Sequence, residues 1–322
     1  MRLLSLLLLL LLPAACPAAT ESRVLQAGDT RLRLEIVDVD DPVRSRMLQR
    51  WIEEAAEASK TQSGRFPLRD AYVRIQQTDS NDDSPVPWGQ TRRRGEAGVL
   101  LYVRRDASYE QLRADWTAVH ELSHLLHPYL GDSGRWLAEG LASYYQNVSR
   151  ARAGMLDGEE AWRRLDAGFR RGQSASAGAR LDAMGRGRGG TMRVYWAGAA
   201  YWLEADLALR RHSGTTLDAI LDRYAECCLH GTDSVTPQDF ASALDDLAGG
   251  GTFSALYRRY AAMREFPSLA DAYAQLGISR NGDGLAFSDN AKNRQLRDAI
   301  MAPRQQPSST RWAAPASSPN RP

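Results

Sequence analysis

One segment of this 322-residue chain restricts its fold more than any other. From Asp115 to His127 the sequence holds neither Pro nor Gly, reads as helix, and places His120, Glu121 and His124 in the order His-Glu-x-x-His. On a helix, residues four apart lie one above the other, so His120 and His124 present their imidazoles to one point. Glu121 sits about 100° round from His120, close enough to reach a water at that point. Two imidazoles with a carboxylate beside them suit hydrolytic Zn2+: three protein ligands, one open position, and a base for the activated water. Such a site needs a third ligand brought back by the fold. Pro128 and Gly131 end the first helix, and a second opens near Arg135, carrying Glu139 with fourteen residues between it and His124. Glu139 is the leading third ligand. His127 and Asp132 compete for the role, but His127 projects about 60° away from His124 and Asp132 lies in the intervening loop.

The rest of the chain is organised around that pair of helices. Met1-Arg2, the Leu-rich run Leu3 to Leu12 and the small residues up to Ala19 form an export signal over 1–19, too short for a membrane span. Cys16 leaves two readings open, removal with a cleaved signal or lipidation, which would tether the chain to a membrane, with Pro13 where a lipoprotein signal usually has Leu. A sheet-bearing subdomain is expected over 28–106. Its strands are Arg31 to Val39, Ala71 to Ile75 and Gly98 to Val103, with a helix from Pro42 to Ser59 between the first two and a loop from Thr78 to Gly89. Residues 107–300 read as the metal-binding, all-helical subdomain. Gly172 to Thr191 forms a Gly- and Arg-rich loop, and 301–322 a disordered tail. Together these give an α+β fold.

Composition narrows the function. Hydrophobic residues at 43% can build a core, and 41 basic residues against 39 acidic ones leave a formal charge of +2. That balance argues against a nucleic-acid partner. Cys227 and Cys228 are adjacent and read as two unpaired, buried small residues on a helix. Trp116, Trp136, Trp162, Trp196 and Trp202 fall at packing positions and read as core, while Arg92 to Arg94 and Arg104-Arg105 read as a solvated sheet edge.

The segment His120 to His124, followed by Trp136-Leu137-Ala138-Glu139-Gly140-Leu141-Ala142-Ser143-Tyr144-Tyr145, resembles the gluzincin metallopeptidases, most closely the glycyl aminopeptidase family. The stretch Val194 to Ala200 resembles the Tyr-x-Lys-Gly segment of that family and of the aminopeptidase N family, with Ala197 where Lys is usual. Weaker likeness through Thr236 to Phe240, Tyr273 to Gly277 and Phe287 to Asn290 extends the resemblance over roughly Asp70 to Ile300. It implies a zincin-like fold, a zinc-dependent peptidase acting on peptides or proteins, and Tyr195 as the donor to the oxyanion, Tyr201 being the next candidate. Ser143, one turn beyond Glu139, is a candidate for supporting a ligand by hydrogen bonding. The acidic motif with which those families read a substrate's free amine is not kept: Gly95 to Tyr102 retains Glu96 without the pattern. Exopeptidase specificity is therefore not implied, and the amino-terminal β domain and PDZ module of many relatives are not expected. Two other readings share these residues: an inactive, zinc-stabilised binding scaffold, and a zinc hydrolase of non-peptide amides or esters. Glu121 argues against the scaffold, which has no need of a base.

Overall fold

The computed structural model describes residues 20–60, 64–175, 178–184, 190–282, 284–301 and 312. The expected signal with Cys16, residues 185–189 of the Gly- and Arg-rich loop, and most of the expected tail lie outside the described residues.

The chain begins with β1 (Thr20–Ala27), β2 (Thr30–Val37), α1 (Pro42–Ala58), β3 (Asp70–Thr78), β4 (Trp88–Arg92) and β5 (Gly98–Arg104). The strands form one sheet in the order β1-β2-β3-β5-β4, with β2, β3 and β5 parallel and the two outer strands antiparallel to their neighbours. Alternation explains the layering. Leu32, Leu34, Ile36, Val73, Ile75, Leu101 and Val103 are buried, and with Leu48, Trp51 and Ile52 of α1 they belong to one core. The intervening residues Arg33, Glu35, Tyr72, Arg74 and Tyr102 face outward and line a cavity of about 500 Å³. Asp41 caps α1 by accepting from the Val43 amide at 2.8 Å, and Pro42 occupies the first helical turn.

Helices follow: α2 (Tyr109–Ala114), α3 (Thr117–Ser123), α4 (Arg135–Arg152), α5 (Gly158–Gln173), α6 (Thr191–His212), α7 (Leu217–Cys227), α8 (Pro237–Ala248), α9 (Thr252–Ala261) and α10 (Ala270–Leu276). A hairpin, β6 (Ile278–Asn281) and β7 (Gly284–Phe287), and α11 (Ala291–Met301) complete the described body. The α+β expectation stands, with several corrections. The sheet starts at Thr20, because β1 pairs along the whole of β2. Residues 107–300 are not all-helical, since β6 and β7 pair around Gly282. The edge beside the helices is β4, which begins in the last two residues of the segment read as loop, and β5 lies between β3 and β4. The tail is ordered at both described positions: Met301 is buried in α11, and the Trp312 ring packs edge-on against Phe66 at 5.5 Å. Cys227 and Cys228 are joined by a disulfide. Neither is buried, and only Cys227, the last residue of α7, is helical, the backbone turning away at Cys228.

Candidate metal centre

The segment expected to form one helix from 115 to 127 is not continuous: Asp115 and Trp116 precede α3, and the last turn is a 3-10 turn. After α2, the Asp115 carboxylate accepts from the Thr117 amide at 2.7 Å, and α3 starts there. His120 lies within α3, whereas His124 opens a short 3-10 turn, His124–Leu126. The i, i+4 geometry survives the change, and the two imidazoles sit edge to face at 4.9 Å. Gly134 starts α4, which returns against α3 and carries Glu139 one turn inside its amino end.

Three of the expected residues meet. One carboxylate oxygen of Glu139 lies 3.4 Å from His120 Nε2 and 3.5 Å from His124 Nε2. The ligand atoms of all three residues lie within 4.8 Å of one another. Two ligands each about 2.1 Å from a tetrahedral zinc are about 3.4 Å apart, so these separations fit that ion. The hydrogen bonds behind the rings agree. His127 Nδ1 donates to the Pro128 carbonyl at 2.6 Å, which leaves its Nε2 to accept from His124 Nδ1 at 3.1 Å. His120 Nδ1 faces Gln146 Oε1 at 2.8 Å. With both Nδ1 atoms engaged as donors, both Nε2 atoms turn lone pairs toward a carboxylate oxygen. Acceptors facing acceptors call for a cation, and a nitrogen-nitrogen-oxygen set at this spacing suits zinc.

Electrostatics follow from the same packing. Burial alone would raise the Glu139 pKa, but contacts with His120 and His124 outweigh it and hold the carboxyl well below its ordinary range. Burial opposes a charge on His120, yet its contacts with Glu139 and Glu121 raise its pKa overall. His127, buried and beside Arg93, is held well below the ordinary imidazole value.

Glu121 is positioned from the sheet. Thr91 of β4 donates to the Glu121 carboxylate at 3.0 Å or to its backbone carbonyl at 2.8 Å. Gly89, two residues earlier, permits this approach: a Cβ there would lie 2.7 Å from Glu121 Cγ. Tyr195 comes from α6, its ring stacked on His120 at 5.8 Å with 6° between the planes. Burial, then Glu139, raises the phenol above its ordinary pKa. The Arg135 guanidinium lies 5.8 Å from the Tyr195 ring and 3.7 Å from Glu139. Tyr201 is placed elsewhere, fully buried with its hydroxyl donating to the Phe253 carbonyl at 3.1 Å.

Other expectations are corrected. His127, weighed as a competing third ligand, is buried behind His124 and supports it by a hydrogen bond. Asp132 is exposed and outside the His-His-Glu group. The Ser143 hydroxyl is buried without a hydrogen-bond partner and so does not support Glu139. Glu96, read as retained without the amine-reading pattern, bonds Arg33 at 2.6 Å in the turn between β4 and β5. Arg93 is not a solvated edge residue. It turns inward and donates to the carbonyls of His124, His127 and Gly231, and burial lowers its pKa to about 10. It thus caps the carboxyl end of the metal helix with positive charge. Trp116 is 43% exposed, unlike the other four tryptophans read as core. Gln146, Thr91, Gly89 and Arg93 were not singled out for this site from sequence, because their partners lie at least 26 positions away.

No family model matches the chain, and no curated protein matches it in sequence. Solved structures do match in fold. An aminopeptidase N family protein from Idiomarina loihiensis aligns over 80% of this chain and 49% of its own length, with a TM-score of 0.54 and 14% identity. An M1 zinc metallopeptidase from Deinococcus radiodurans aligns over 79% of this chain and 54% of its own length, at 0.47 and 18% identity. Yeast LTA4 hydrolase aligns over 79% and 42%, at 0.46 and 13% identity. The chain thus spans about half the length of the structures it matches. At this identity the likeness is one of architecture: the chain shares the fold of the aligned half of the Idiomarina loihiensis protein.

Proposed function

We propose that this chain is a zinc-dependent peptidase, with His120, His124 and Glu139 as metal ligands and Glu121 as general base. The observation that carries the reading is the convergence of three ligand atoms beside a carboxylate held separately by Thr91. Zinc, when bound, lowers the pKa of water and polarises the substrate carbonyl. Glu121 takes the proton from the attacking water and delivers it to the leaving amine. The Tyr195 hydroxyl donates to the carbonyl oxygen as negative charge builds there, a contribution of a few kcal/mol. Tyr195 is favoured over Tyr201, whose hydroxyl is already engaged with the Phe253 carbonyl. The substrate is a peptide or protein. Export through residues 1–19, to the periplasm or the exterior, and a lipid tether at Cys16 are proposed from sequence alone; among the described residues no helix is long and apolar enough to cross a membrane.

The deciding experiment maps cut sites in a complex peptide mixture with zinc-loaded protein, chelated protein and the Glu121→Gln variant. Zinc-dependent cleavage, lost in Glu121→Gln with one zinc per chain retained, is the expected outcome. Zinc bound without any cleavage by the wild type would favour the inactive scaffold, and cleavage by Glu121→Gln would remove the base from the mechanism.

A further inference from the structure

We infer that the site selects peptides with a bulky apolar side chain, aromatic or long aliphatic, next to the cleaved bond, and that Trp116 is the residue that selects it. The inference rests on the peptidase reading and adds the substrate class. Trp116 precedes His120 by one helical turn, and its ring meets the His120 imidazole edge to face at 5.1 Å. Tyr195 covers a face of the same imidazole. An indole left 43% exposed keeps a large apolar surface in water, which a substrate side chain would relieve on binding. A second exposed apolar side chain stands on α6, near Tyr195 in sequence. Met192, 39% exposed, precedes Tyr195 by three residues on α6, the spacing at which side chains are neighbours on a helix surface. Two of the exposed large apolar side chains thus each lie one helical turn from a residue of the site. A flexible thioether and a rigid indole offer an adaptable and a flat wall for an apolar group.

Blocked dipeptide hydroxamates carrying Phe, Ala or Glu test this without requiring turnover, since the hydroxamate supplies its own zinc-binding group. Affinities are measured by calorimetry on the full zinc-loaded protein, beside kcat/KM for peptides with the same three residues. The Phe compound should bind at least about tenfold tighter than the Ala compound. That ratio should fall toward unity in Trp116→Ala, be restored in Trp116→Phe, and drop partway in Met192→Ala, while Ala-compound affinity and zinc content hold. Equal binding of Phe and Ala compounds, an unchanged ratio in Trp116→Ala, or a preference for the Glu compound through Arg135 would overturn the inference and leave the peptidase reading standing. Failure of all three to bind, together with absent turnover, would overturn both.

Discussion

Gly89 shows how closely the proposed base is fitted to the sheet. Its missing side chain lets β4 approach α3 until a Cβ would stand 2.7 Å from Glu121 Cγ and 2.9 Å from Thr117 Cγ2. The backbone itself accepts an alanine, because Gly89 is not among the glycines with positive φ. Gly89→Ala should therefore fold and retain zinc while pushing Glu121 out of line. A displacement of about 1 Å at a reacting group costs on the order of a hundredfold. The expected result is a ten- to hundredfold loss of kcat with unchanged metal stoichiometry. Steady-state kinetics with metal analysis check it, and full activity in the variant would show that Glu121 has room the structure does not give it.

At the scale of elements, the crossing of α4 and α6 sets where Tyr195 stands relative to Glu139. The helices touch backbone to backbone: a Cβ on Gly198 would lie 1.9 Å from the Trp136 carbonyl oxygen, and one on Gly140 would lie 2.2 Å from the Gly198 carbonyl carbon. Trp202 fastens the same crossing by donating from Nε1 to the Leu137 carbonyl at 2.8 Å. Gly198→Ala must separate the helices, at a cost near the top of the overpacking range, about 3 kcal/mol. That corresponds to a fall in Tm of roughly 5 to 10 °C for a domain of this size. Calorimetry checks the stability, and a drop in kcat larger than any loss of zinc affinity checks that Tyr195, not the ligand set, has moved. A variant as stable as the wild type would mean that the crossing is looser than this contact implies.

Across the whole molecule, what the sequence reveals depends on how far apart the interacting residues are. His120, Glu121 and His124 fall within one helical turn, and the Glu139 helix follows after a Pro- and Gly-marked break, so local periodicity suffices to pair them. The alternating strands β2 and β3 and the Pro42 helix are legible for the same reason. What escapes is pairing that composition does not encode: β1 as partner of β2, β4 as the edge, and Arg93 as an internal cap whose guanidinium reaches three carbonyls. The closure of the carboxyl-terminal part belongs with these. Asp166 of α5, its side chain only 5% exposed, accepts from Tyr273 of α10 at 2.6 Å, Arg280 of β6 at 2.7 Å and Arg170 at 2.8 Å. Burial would raise its pKa, but these donors prevail and lower it. A carboxyl with a depressed folded-state pKa contributes its full stability above the unfolded value, near 4, and loses it as the pH falls through the lower folded value. Wild-type protein freed of zinc by chelator, so that metal release does not intrude, should therefore lose unfolding free energy steeply below about pH 4. Asp166→Asn should start less stable at pH 5, decline more gently, and converge on the wild type at low pH. Urea unfolding between pH 5 and 2 measures both curves. Parallel declines would show that the acid sensitivity of this fold resides in other carboxylates and that Asp166 does not tie α10 and β6 to α5.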